Sequence, residues 1–246
     1  MPDLSLVIQI AKSAAELAGD FLNQQQNKTQ TILVNEGRDI KLELDIQVEK
    51  KIKEYISSRS QYPILGEESG LSGSMEQFYW VIDPLDGTSN FLRGIPVSCV
   101  SIALMNELNP ILGVIFDFNN DHMYFGHEGS KAFLNNVEIK VSSIRKKKDA
   151  TLMTGIPAKD NYSDNEFQNM INDFQEWKKI RMIGSAAMAA VYVAAGRAEA
   201  YKEAGIFLWD IAAGAAIVKA AGGKYSISNL HSNYRVDAEF SNNKLL

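Results

Sequence analysis

Asp83 and Asp86 stand three residues apart in the stretch Trp80-Val81-Ile82-Asp83-Pro84-Leu85-Asp86-Gly87-Thr88-Ser89-Asn90-Phe91. Two carboxylates at that spacing offer hard oxygen donors to a divalent cation. Tyr79 to Ile82 is short, apolar, aromatic and β-branched, and reads as a buried strand running into them. Pro84 stiffens the turn between the acids and removes a backbone donor. Gly87 permits close backbone approach, and Thr88-Ser89-Asn90 supplies cap-type residues that open a helix. The amides at such a helix start receive an anion, so metal and phosphate chemistry would meet here. An Asp-Pro-x-Asp-Gly turn alone is also ordinary surface punctuation. Two other stretches add weight. Gly66-Glu67-Glu68-Ser69 sets paired acids after the apolar Pro63-Ile64-Leu65, and Trp209-Asp210 opens an Ala-rich helical stretch that closes at Gly222-Gly223.

The elements that must position these residues follow from periodicity. Asp3 caps a first helix in which Leu4, Ile8, Ala11, Ala15, Ala18 and Leu22 recur at helical steps. Thr31 to Val34 reads as a short strand, Asn35 to Arg38 as a turn, and Asp45 to Ser57 as a second helix with Asp45 near its N-terminus. Val97 to Leu104, Ile111 to Phe118 and Met123 to Phe125 read as antiparallel strands. Asn135-Asn136 joins Ala132–Leu134 to Val137–Ile139 as a hairpin. The basic run Arg145 to Lys148 marks a lobe boundary and otherwise reads as a solvated loop.

Beyond it, strands at Thr151–Met153, Lys179–Ile183, Glu199–Lys202, Lys224–Ile227 and Ala238–Ser241 alternate with helices. Those helices fall at Asn165–Trp177, Ser185–Ala195 and Asp210–Ala221. Such alternation implies a layered α/β lobe. The expected division is residues 1–148, an α+β lobe with most of the acids, and residues 149–246, an α/β lobe that completes the site.

With 246 residues the chain is long enough to bury a large core, as one domain or two lobes. A net charge of −5 disfavours broad binding to nucleic acid. Cys99 is the single cysteine, which excludes an internal disulfide or a thiolate cluster and reads as a small buried hydrophobe. The start of the sequence does not read as a secretory signal, and no apolar run has membrane-spanning length. The expectation is a cytoplasmic protein with neither membrane nor nucleic acid as partner. His122, His127 and His231 are scattered and read as surface or loop residues.

The chain resembles the inositol monophosphatase family of magnesium-dependent, lithium-sensitive phosphomonoesterases. The resemblance rests on Gly66 to Ser69, Trp80 to Phe91, Trp209 to Gly214 and Ala220 to Gly223, with Gly184 to Ala187 and Tyr201 to Gly205 in agreement. It implies an α-β-α-β-α sandwich of the inositol monophosphatase and fructose-1,6-bisphosphatase type, usually a homodimer. It further implies two or three Mg2+ ions. Glu67 and Asp83 with the Leu85 carbonyl would hold the first, and Asp83, Asp86 and Asp210 the second. Asp45 and Thr88 would orient and deprotonate the attacking water. The amides of Gly87 and Thr88 would receive the phosphate, and Gly184, Ser185, Ala186 and Glu203 would contact the hydroxyl-bearing part of the substrate.

Each residue also has a plainer reading: Asp45 as a helix-start acid, Asp210 and Ser185 as N-caps, Glu203 as an edge-strand acid, and Glu68 as either a support behind the ligands or a solvated side chain. The family's usual Asp-x-Val-Thr-x-x-Asp stretch reads here Asp39-Ile40-Lys41-Leu42-Glu43-Leu44-Asp45, with Leu42 at the Thr position. Arg38 and Lys41 are the nearest cations of the preceding loop. This departure bears on a third Mg2+.

The function implied is hydrolysis of a small phosphate monoester of a polyol, sugar or nucleotide, inositol monophosphate first. The alternatives are a 3′(2′),5′-bisphosphate nucleotide, fructose 1,6-bisphosphate or histidinol phosphate. A rival of another class is a regulatory role through a protein partner.

Overall fold

Asp3 sets the first element. Its carboxylate accepts the amide N–H groups of Ser5 at 3.0 Å and Leu6 at 3.4 Å, two donors that a helix start leaves open, and α1 (Leu4–Gln25) follows. The computed structural model describes residues 2–36, 39–74, 76–156 and 163–245, without the side chains of Glu36 and Asp39. Next come β1 (Ile32–Glu36) and β2 (Asp39–Leu42), an antiparallel pair. Asn35 pairs with Ile40, so Asn35 and Glu36 continue the strand rather than open the expected turn. Arg38, the other end of that turn, lies outside the described residues. In α2 (Glu43–Ser57), Leu44, Val48, Ile52 and Ile56 fall on one buried stripe.

The first large sheet takes β3 (Ile64–Gly66), β4 (Gly70–Leu71), β5 (Phe78–Asp86), β6 (Cys99–Asn106), β7 (Asn109–Asp117), β8 (His122–His127), β9 (Ala132–Leu134) and β10 (Val137–Ile139), with α3 (Thr88–Leu92) between β5 and β6. Its order is β10-β9-β8-β7-β6-β5-β3-β4, and only β3 and β5 run parallel. β5 does not stop at the acids. It passes through Asp83 and Asp86, and its pairing with β6 shifts register between them. Pro84 sits in this bulge, where its missing N–H leaves no ladder bond broken.

A 3-10 turn, Lys147–Asp149, leads to β11 (Thr151–Thr154), α4 (Asp164–Gln175), β12 (Lys179–Arg181), α5 (Ala186–Ala194), β13 (Ala200–Phe207), α6 (Leu208–Ala220), β14 (Lys224–Ser228) and β15 (Arg235–Ser241). The second sheet has the order β12-β11-β13-β15-β14. The basic run is not simply solvated, since Lys147 is 2.6 Å from a Glu176 carboxylate oxygen and 3.5 Å from one of Asp173.

The layers follow from side-chain alternation. On β5, Trp80 and Ile82 join the core under α1 and α2, while Tyr79 and Val81 join the core on the other face. That second core holds the Ala-rich helices α5 and α6 together with Tyr201, Val236, Ala238 and Phe240 of the second sheet. α4 lies outermost, with Asp173 3.9 Å from Lys202 of β13 and none of its residues fully buried. The resulting order is helices, sheet, helices, sheet, helix, the expected α-β-α-β-α sandwich. Among the described residues, no helix is long and apolar enough to cross a membrane.

Candidate active site

The five acids come from four elements. The bulge of β5 carries Asp83 and Asp86, the turn after β3 carries Glu67, α2 carries Asp45, and α6 carries Asp210. Asp45 and Asp210 are placed by the same local device. Each is the third residue of its helix and reaches back to the residue before it: Asp45 Oδ2 accepts the Leu42 amide at 2.7 Å, and Asp210 Oδ2 accepts the Phe207 amide at 3.1 Å. Asp210 is therefore not the N-cap; the helix begins at Leu208, two residues before the expected start.

Asp83 and Asp86 are buried, while Glu67 and Asp210 keep a partly exposed edge that leaves the cluster open to solvent. Burial pushes Glu67, Asp83 and Asp210 well above the usual carboxylate range. Charge on the neighbouring acids pushes each further. The charges of Glu67, Asp86 and Asp210 all bear on Asp83. Like charges gathered out of water disfavour one another's ionised form, and a divalent cation neutralises such a site. The donors are all oxygen, as Mg2+ requires, so the residues present fit the metal. Among the described residues, no group of three or more acids, histidines or cysteines is gathered closely enough to hold a metal ion as it stands.

Asp86 faces the second half of the chain. Its carboxylate accepts from the Ser185 hydroxyl, from the Ala186 amide, and from the Ala187 amide at 2.8 Å, with the Cys99 thiol 3.8 Å away. It thus occupies the N-terminus of α5, where the helix dipole favours a negative charge. Burial still raises its pKa to about 6, against these bonds. Ser185 caps α5 as expected, accepting the Met188 amide at 3.1 Å, and the same hydroxyl donates to Asp86.

Gly87 precedes α3 with φ +87°, and a Cβ there would lie 2.7 Å from the Val97 carbonyl oxygen, so only glycine fits. Gly87 thereby serves as the N-cap in place of Thr88. The Thr88 hydroxyl instead donates to the Leu85 carbonyl at 2.9 Å, and that carbonyl keeps a second lone pair for another partner.

Gly184 is tied to the site by Asn90. The Asn90 amide donates to Val97 and Ile183 carbonyls at 2.8 Å and to that of Gly184 at 3.3 Å. Glu203 is half-buried and accepts from the Tyr201 hydroxyl at 3.0 Å; burial pushes its pKa up to about 7. Glu68 is not solvated: it forms an ion pair with Lys41 of β2, and its side chain is 5% exposed.

Sequence reading does not single out Asn90, Tyr201 or Glu49. Asn90 lies inside the recognised stretch, where it passes for a helix-start residue, and Tyr201 precedes Glu203 by one strand period. A cavity of about 520 Å³, lined by Leu152, Trp177, Tyr225 and Phe240, lies on the outer side of the second sheet and holds none of these acids.

Fold and site together define a layered α/β protein built around buried carboxylates where its two sheets meet. Residues 3–235 match the inositol monophosphatase family. The Nus factor SuhB of Xylella fastidiosa is 40% identical over 220 residues, 88% of this chain and 80% of that protein. A fructose-1,6-bisphosphatase/inositol-1-monophosphatase of Aquifex aeolicus is 33% identical over 231 residues, 92% of this chain and 88% of that protein. The structure of an inositol monophosphatase from Anabaena (Nostoc) superposes with a TM-score of 0.85 at 32% identity, covering 99% of this chain and 93% of that one. The chain belongs to the inositol monophosphatase family and is a phosphoric monoester hydrolase.

Proposed function

We propose that the chain hydrolyses a small hydroxylated phosphate monoester with Mg2+, inositol monophosphate being the leading substrate. The observation that carries this reading is the all-carboxylate cluster in which Glu67, Asp86 and Asp210, from separate elements, bring their charges to bear on the buried Asp83. Glu67, Asp83 and the Leu85 carbonyl would hold one ion, and Asp83, Asp86 and Asp210 another. Bound Mg2+ supplies Lewis acidity to the phosphoryl group, whose uncatalysed hydrolysis is among the slowest reactions known. Asp45 and Thr88 hold the attacking water and take its proton. The amides of Gly87 and Thr88 receive phosphate oxygens.

Glu203 accepts hydroxyl hydrogen bonds from the substrate, an acceptor role that suits an ionised carboxylate. Gly184, Ser185 and Ala186 flank it. Glu203 in a half-buried position beside the Tyr201 hydroxyl favours a polyol over a nucleobase. The homodimer and the lobe division at 148/149 belong to the same proposal.

Phosphate release from inositol 1-phosphate, fructose 1,6-bisphosphate, 3′-phosphoadenosine 5′-phosphate and histidinol phosphate tests it. The expected result is one preferred substrate, hydrolysed with Mg2+ and inhibited by lithium. No release from any of them contradicts it. A second reading, regulation through a protein partner, is favoured by the Nus factor name of the Xylella relative. Retention of cellular function by an inactive Asp86→Asn variant would select that reading instead.

A further inference from the structure

Glu49 is a buried carboxylate in the middle of α2, 2% exposed, that the mechanism above does not use. It lies beneath the turn that carries Glu67. One carboxylate oxygen accepts the Glu68 amide at 2.7 Å. The other accepts the Ser69 amide at 3.1 Å and the Ser69 hydroxyl. The Ser69 oxygen in turn accepts from Lys53 at 2.6 Å. Gly66 makes room for this arrangement, because a Cβ there would lie 2.5 Å from the Glu49 carboxyl carbon. Asp45, Glu49 and Lys53 recur at four-residue steps and so share one face of α2. The same face thus holds the acid proposed to take the water's proton and the support of the turn proposed to bind the first ion.

We infer that Glu49 is a positioning residue that fixes the Gly66–Ser69 turn so that Glu67 meets the first metal ion; this rests on the function proposed above. The geometry calls for a carboxylate. Both oxygens accept hydrogen bonds from donors on the turn, and a glutamine would aim an N–H₂ group at one of them. Removing an outer partner that orients a metal ligand typically lowers metal affinity by about 10–100-fold.

The test is calorimetric Mg2+ titration of the full chain, wild type against Glu49→Gln and Gly66→Ala, with amide hydrogen exchange on the metal-free proteins. Gly66→Ala evicts the Glu49 carboxylate without altering it, so the two variants should agree. The expected result is a rise in the Mg2+ dissociation constant of about 10-fold or more in both variants. Exchange should quicken at Glu68 and Ser69 while the amides of β5 and β6 stay protected. Should either variant fail to fold, Ser69→Ala removes the hydroxyl link alone and is expected to weaken Mg2+ by about 3-fold, a fraction of that loss. Variants that fold and bind Mg2+ as the wild type does overturn the positioning role alone. A wild type that binds no Mg2+ overturns the proposed function, and this inference with it.

Discussion

Asp83 is the residue on which the others depend. It is buried, the charges of Glu67, Asp86 and Asp210 bear on it, and its own Oδ1 accepts the Leu85 amide at 2.9 Å. Asp83→Asn removes one charge and turns an acceptor into a donor, so kcat should fall by about 100-fold or more; near-normal steady-state turnover would refute the assignment. Glu203 makes a different prediction. Burial raises its folded pKa to about 7 from an unfolded value of 4.5. Between those values the folded state holds the proton and the unfolded state does not, so stability declines as pH rises through this window. Glu203→Gln removes that decline. The difference in Tm between pH 5 and pH 8, measured without metal, should shrink in the variant, and an unchanged difference would contradict the burial argument.

Residues of this kind differ in how plainly the sequence shows them. Asp83, Asp86 and Asp210 are legible because Pro, Gly and Trp neighbours set them apart. Glu49 sits between Val48 and Lys50, where a charged residue passes for the solvent side of a helix; only the turn packed on it gives it a role. Glu68 is legible only as two alternatives, support or solvation, since the partner that decides between them, Lys41, comes from another strand.

Among the elements, the helices are legible to within a few residues because apolar periodicity and caps mark them. α1 begins at its Asp3 cap, and α5 at Ser185. Strand ends are less legible, because pairing with a distant partner decides them. β13 extends to Phe207 through a bulge between Glu203 and Ile206 because β15 lies alongside. β4 has only the residues Gly70 and Leu71, and pairing with β3 alone defines it.

Two element-scale predictions follow from packing and capping. Ile52 of α2 is fully buried against α1 and the large sheet, so Ile52→Ala should destabilise by about 2–5 kcal/mol in urea unfolding. Ser185→Ala loses both the α5 cap and a bond to Asp86. Stability should fall by about 1 kcal/mol, and Mg2+ affinity should fall as well. A variant with weakened stability but unchanged Mg2+ binding would confine Ser185 to capping.

At the scale of the molecule, the site exists because two sheets share the helices between them. Glu67, Asp83 and Asp86 come from the first sheet and its loops. Asp210 comes from α6, which packs on both sheets, and the α5 N-terminus meets Asp86 across the same junction. The order of layers is legible from strand–helix alternation and the family resemblance together. The sharing of one core by both halves is not, since it depends on which faces of α5 and α6 meet which sheet. A shared core predicts a single unfolding transition that near- and far-ultraviolet circular dichroism report together; two separate transitions would contradict it.

The junction is also where a metal site spanning both halves can be tested. Calorimetric titration of Mg2+ into the wild type and into Asp210→Asn asks whether an acid from the second half completes a metal site begun in the first. About two ions should bind per wild-type chain, with the ion shared by Asp83, Asp86 and Asp210 lost or greatly weakened in the variant. The same stoichiometry and affinity in both proteins would contradict that shared site.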